Sequence, residues 1–157
     1  MIYFLPKIGV QMLKKIFITL LCLSSFSSAG NIKADVQKVS IKGTANAYIF
    51  AVRLKSVETG CAQYADWWEV LSEEGELLYR RILVHSHPDT QPFTRSGGKV
   101  AISETDIVYV RAHMNTLGYV GDVMKGSVSS GFKVVTELPT FSKKLEKQMP
   151  LPNGCLY

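Results

Sequence analysis

The sequence predicts an all-β chain, an antiparallel immunoglobulin- or fibronectin-like β-sandwich of about seven strands, on the strength of three observations. Residues 46–55 and 105–115 alternate apolar and polar side chains with a period of two, the signature of strands with one face in a core. Apolar segments recur at roughly ten-residue spacing, separated by glycine, proline or acidic turn residues, as in two-sheet β folds. Helical periodicity is sustained nowhere, and residues 141–148 allow one or two turns at most. A small open barrel is the competing arrangement.

Residues 31–42 alternate loosely through Val36, Val39 and Ile41 and stop at Gly43, which reads as a first strand containing an irregularity. In residues 46–55, Tyr48, Phe50, Val52 and Leu54 share the core face. Gly60 marks a turn, and residues 64–73 form a strand with Trp67 and Trp68 on opposite faces, so one of them must be exposed or covered by a loop. Glu73-Glu74-Gly75 is a turn signal, and residues 77–84 should fold back beside residues 64–73 as a hairpin. Pro88 ends that strand. Residues 88–98, with two prolines and the pair Gly97-Gly98, read as a stiffened loop displaying Phe93 and Arg95. A short strand is expected at residues 99–103. Residues 105–115 are the best patterned, with Val108, Val110, Ala112 and Met114 inward and Ile107, Tyr109, Arg111 and His113 outward. A glycine-marked loop carries Tyr119, and residues 124–135 supply a last strand with bulges expected at Gly126 and Gly131.

The start of the chain stands apart from this pattern. Lys14-Lys15, an apolar run over residues 16–23 and the small residues Ser27-Ser28-Ala29 follow the order of a secretory signal peptide. The expected organisation is therefore a leader at residues 1–29, a β-sandwich domain at 30–136 and a C-terminal tail at 137–157, in a periplasmic or secreted protein. The apolar run is too short to span a bilayer as a helix. Cys22 is preceded by Leu21, where lipid attachment calls for a small residue. Three of the 18 basic residues, Lys7, Lys14 and Lys15, lie in the leader with none of the 13 acidic ones, so the net charge falls from +5 to about +2, which excludes a nucleic-acid-binding stripe of the usual kind. Cys61 and Cys155 remain as a pair, and in an oxidising compartment a pair reads as a disulfide.

Residues 77–98 carry the densest set of chemically capable side chains. His85 and His87 stand two apart on an extended run and project to one face, a spacing that can grip a metal ion. The metallo-β-lactamase pattern His-x-His-x-Asp-His is met by His85, His87 and Asp89 but lost at Thr90. The JAMM metalloprotease pattern is lost where Lys99 stands in place of an aspartate ligand. In a sandwich of the common topology the strands at 77–84 and 105–115 flank the strand at 64–73, run parallel and end together, which would bring His113 to the edge that holds His85 and His87. Met114 would then lie beside them, and imidazole with thioether would suit copper, or imidazoles alone zinc. The plainer alternative is that the histidines hydrogen-bond loop carbonyls and clamp the following segment onto the sheet. Arg95, Phe93, Arg111, Trp67 and Tyr119 form a second candidate set, suited to an anionic or sugar partner through stacking and forked hydrogen bonds; the commoner alternative is that such an arginine ties a loop to backbone carbonyls or stacks on a tryptophan.

The strings Tyr64-Ala65-Asp66-x-Trp68-Glu69-Val70, His85-x-His87, Gln91-Pro92-Phe93-Thr94-Arg95-Ser96, Val110-Arg111-Ala112 and Gly118-Tyr119 resemble an uncharacterised family of small exported bacterial proteins, over about residues 36–135. The resemblance implies export and brings no activity, ligand or cofactor. It departs at Val120, where the family has a second glycine, and at Cys61, where it has an aromatic residue. Three function classes follow: a non-catalytic binding module of the cell envelope, with a protein or glycan partner, which is favoured; a periplasmic copper or zinc binder using His85, His87 and His113; and an enzyme, the least supported, because no nucleophile elbow or carboxylate pair is present.

Overall fold

The computed structural model describes residues 1–2, 31–136 and 139–156; the expected leader and Cys22 lie outside them. Eight strands follow in order: β1 (Ala34–Lys42), β2 (Tyr48–Ser56), β3 (Ala65–Ser72), β4 (Leu77–Ile82), β5 (Phe93–Val100), β6 (Val108–Met114), β7 (Val123–Ser127) and β8 (Gly131–Val135). They form two antiparallel sheets, β1-β2-β5 and β4-β3-β6-β7-β8. This is the expected sandwich, with β2 and β3 adjacent in sequence but in different sheets, as in immunoglobulin-like folds.

Alternation along the strands explains the core. Phe50, Val52 and Leu54 of β2 meet Trp68 and Val70 of β3 and Val108, Val110, Ala112 and Met114 of β6 in one cluster. Each such aliphatic or aromatic side chain contributes about 1.5–3 kcal/mol by leaving water. The irregularity expected in the first strand is a bulge between Val36 and Lys38.

Three elements differ from the sequence expectation. The segment taken as a displayed loop is β5, paired with β2 from Leu54↔Phe93 to Tyr48↔Val100. The Gly97-Gly98 pair sits at a register shift within it, opposite the step from Ile49 to Ala51. A Cβ on Gly97 would lie 2.5 Å from the Tyr79 ring and 2.7 Å from Trp68, so glycine here makes room for aromatic packing between the sheets. Second, residues 101–107 are not a strand; Ser103 donates to Asp106 from both its backbone N (2.9 Å) and its Oγ (2.5 Å). Third, residues 124–135 make the hairpin β7-β8, not one bulged strand, because Ser127, Ser129 and Ser130 hydrogen-bond one another in a turn.

Both gaps between the sheets are bridged. On one side Tyr79 Oη of β4 accepts from Gly98 N of β5 at 2.6 Å. On the other, the start of β1 bonds to the segment leading into β7, Ala34 N to Val120 O at 2.8 Å and Val36 N to Asp122 O at 3.0 Å. The second bridge depends on Gly121, whose φ is +123° and whose Cβ, were there one, would stand 2.4 Å from Ala34 O. Gly121→Ala should therefore cost about 2 kcal/mol or more through strain and lost edge pairing. Urea denaturation checks this, with an unchanged midpoint as the contrary result.

Candidate functional site

The middle of the outer face of the five-stranded sheet is not wet, although exposed Lys133 stands at its β8 edge. β6 is buried on both sides, and β3 is buried along all but its last residue. Register explains what fills it. Glu69 in the middle strand β3 pairs with Arg80 of β4 on one side and Arg111 of β6 on the other, so strand pairing alone sets one carboxylate between two guanidinium groups.

Glu69 is fully buried. Its Oε2 accepts from Arg80 Nε at 2.8 Å and from Nη2 at 2.5 Å, while Oε1 accepts from Arg111 Nε at 2.8 Å. Arg111 Nη2 also lies 2.8 Å from Oε1, but off the hydrogen-bond axis, and has no aligned acceptor. Arg80 spends its remaining donors on the C-terminal segment: Nη2 to Leu145 O at 2.7 Å, and Nη1 to Gln148 O at 2.5 Å and Pro150 O at 3.2 Å. Aromatic faces take the rest of the positive charge. Arg80 Cζ is 4.6 Å from the Trp67 ring centroid, and Arg111 Cζ is 3.4 Å from Tyr119 and 4.6 Å from Phe141. Burial, and after it the Glu69 carboxylate, push the Tyr119 hydroxyl up to about 12, so it is neutral at physiological pH.

One row along the sheet, His113 pairs with Trp67 and stacks on its indole at 3.5 Å. A register shift between Ala65 and Trp67 turns Asp66 toward the same side, where its Oδ1 is 2.6 Å from His113 Nδ1. Trp67 is thereby covered, as one of the two tryptophans had to be, and Trp68 is buried in the main core.

The roof over this face is the C-terminal segment, with its 3-10 helix (Lys143–Lys147). Leu145 packs with Leu71, Tyr109 and Val123, and Phe141 joins them. Its end is tied twice: Cys155 is bonded to Cys61, with Cα atoms 5.6 Å apart, and Leu156 N donates to Val84 O at 2.6 Å.

A second polar cluster lies where the chain crosses from β4 to β5. The Glu58 side chain is fully buried and accepts from Ser56 Oγ, Ala65 N and His87 N at 2.5, 3.3 and 2.5 Å. His87 stacks on Phe93 at 3.9 Å, and Arg95 Nη2 is 2.5 Å from its Nε2. An arginine can only donate, so Nε2 is the acceptor and the imidazole is neutral, with its proton on Nδ1.

The candidate residues thus fall into separate places. Phe93, expected on display, is 3% exposed in the core, and Arg95 is half-buried against His87. Trp67, Arg111 and Tyr119 do meet, but beneath the C-terminal segment. The three histidines do not form one site, and among the described residues no three of His, Cys, Asp and Glu are grouped to hold a metal ion. The strand directions are as expected, with β4 and β6 flanking β3; the faces are what separate the ligands. His113 is on the outer face, Met114 is fully buried on the opposite side, and His85 and His87 lie in the crossing toward β5. Exposed His85, 4.5 Å from His87, lines a largely apolar recess of about 330 Å³ with Cys61, Pro88 and Leu156.

Sequence reasoning gave no role to Glu58, Asp66, Glu69 or Arg80. The signal available for Glu69 was a carboxylate sharing a strand face with Trp67 and Leu71, flanked by strands that each carry an arginine.

No family model matches the sequence, and no solved structure does. A protein from Halomicrobium mukohataei named "Putative lipoprotein" is 38% identical over 100 residues, which take in 63% of this chain and 49% of that protein. The chain therefore spans about half the length of the curated relative it matches.

Two outcomes follow from the site. Glu69→Gln removes the counter-charge of two buried guanidinium groups and should cost about 3–5 kcal/mol, read by urea denaturation; a loss below about 1 kcal/mol would mean that the arginines do not depend on it. Burial, and then the Arg95 charge, hold His87 below its ordinary value of 6.5. The unfolded chain takes up that proton first, so this residue lowers stability as pH falls through about 6.5 and has no effect above it. Stability should therefore drop between about pH 7.5 and 5.5, and drop less in His87→Gln; parallel pH profiles would remove the assignment.

Proposed function

We propose that the chain is an exported, non-catalytic binding module of the cell envelope, periplasmic or secreted. The Cys61–Cys155 disulfide carries this reading, since structural disulfides persist where the compartment is oxidising. The leader pattern at residues 1–29 and the lipoprotein designation of the similar protein point the same way. The described polar groups argue for binding rather than turnover. Glu69 is neutralised by two arginines, Asp66 is engaged by His113, Glu58 is saturated by three donors and Tyr119 is held protonated. None of these is left open as a general base within reach of a substrate.

Mass spectrometry of the protein recovered from the cells that make it tests the reading. The expected result is a mature N-terminus near Gly30 and a Cys61–Cys155 cross-linked peptide under non-reducing digestion. Retention of residues 1–29 together with two free thiols would overturn it.

A further inference from the structure

The outer face of the three-stranded sheet differs from that of the five-stranded one. The register places Lys38, Lys42, Arg53, Lys55 and Lys99 on it, and all five are exposed. Among the described residues none of the five has a carboxylate within 4 Å. The single carboxylate in these three strands, Asp35, is held by Lys33 Nζ at 2.8 Å and by Asp122 N at 3.0 Å. Lys38 stands directly opposite Arg53, an arrangement of like charges that destabilises a sheet. Five cations on one face of a protein whose net charge is about +2 without its leader is therefore a concentrated patch, kept at some cost to the fold.

We propose that this face docks on the anionic headgroups of a lipid bilayer. The reading rests on the chain being an envelope protein. Charge complementarity sets the sign of the partner, and the shape of the face sets its class. Between the cations lie Ser40, Ile49, Ala51, Thr94 and Ser96, so the long side chains rise from a flat floor with no cleft. The patch measures roughly 10 Å across the strands and about 20 Å along them. The aromatic residues of these strands, Tyr48, Phe50 and Phe93, are all buried inward, which leaves no platform for stacking bases or sugar rings. A flat, mobile layer of phosphates meets such a surface better than a polymer that must be gripped. Each lysine or arginine close to an anionic bilayer favours partitioning by about fivefold.

The test is cosedimentation of the protein, as recovered from expressing cells, with vesicles of phosphatidylglycerol and phosphatidylcholine, and with phosphatidylcholine alone. Binding is expected to the mixed vesicles only. It should fall about a hundredfold in the triple variant Lys38→Ser, Arg53→Ser, Lys99→Ser and be lost between about 0.05 and 0.5 M salt. The variant should keep or slightly raise the melting temperature, because the opposed pair is gone. Equal binding to phosphatidylcholine, equal binding by the variant, or tighter binding to heparin or single-stranded DNA at matched charge would overturn the proposal. Competition by millimolar inorganic phosphate would also overturn it, since that would indicate a site for single phosphate ions. These results are independent of the mature N-terminus and the disulfide, so the envelope assignment can stand if docking fails.

Discussion

A single buried carboxylate organises the five-stranded half of this protein. Glu69 sits at the centre of the middle strand, out of water, and ionising it there would be unfavourable by several kcal/mol without partners. Two arginines from the flanking strands meet that cost and leave one surplus positive charge. The surplus is spread over the rings of Trp67, Tyr119 and Phe141 and over three carbonyls of the C-terminal segment. The segment is therefore required by the electrostatics, not merely laid over an apolar face. Remove it, and Arg80 would face either water or an empty acceptor position.

The disulfide acts on the same segment by a different physical route. Closing a loop of 94 residues lowers the entropy of the unfolded chain by an amount worth about 4.6 kcal/mol in the loop-closure account, whereas Arg80 acts only in the folded state. The two attachments also divide the segment spatially: Arg80 holds residues 145–150, and Cys155 with Leu156 holds the end against the 57–63 turn and Val84. Asn115 locks that turn in place, accepting from Tyr64 N and donating to the carbonyls of Cys61 and Ala62. The bridge is thus anchored to β6 and not to a free loop.

The sandwich and the disulfide were legible in the sequence because both rest on simple signals, alternation in β2 and β6 and the two cysteines, of three, that lie beyond the expected leader. What was not legible depends on register. β5 was hidden because Pro92 and Gly97-Gly98 are turn residues by composition, yet here the glycines clear space for Trp68 and Tyr79 inside a strand. The β7-β8 hairpin was hidden because its turn is made of serines. The three-histidine grouping does not form among the described residues: alternation sends His113 outward and Met114 inward, and His85 and His87 lie in the crossing toward β5. The Arg-Glu-Arg row exists only once β3 is paired to both neighbours, and a buried glutamate in a tryptophan-bearing strand was the one trace of it. Pro150, Pro152 and Gly154 gave the C-terminal segment the look of a loose tail, although its carbonyls are what Arg80 needs.

The centre of the five-stranded sheet's outer face and the outer face of the three-stranded sheet treat positive charge differently, although the β7-β8 edge also sets Lys125 opposite Lys133. On the five-stranded sheet, Arg80 and Arg111 engage one glutamate, three carbonyls, one hydroxyl and three aromatic rings, although Arg111 Nη2 has no aligned acceptor among the described residues. On the three-stranded sheet, five exposed cations have no carboxylate within 4 Å among the described residues. A fold that sets one glutamate between two buried arginines has no chemical difficulty in pairing exposed lysines, since one acidic residue at Ser40, Ala51 or Ser96 would do so. Leaving Lys38 against Arg53 unpaired lowers stability for no internal gain. The buried arginines therefore serve the fold, whereas the cations of the three-stranded sheet make no ion pair among the described residues.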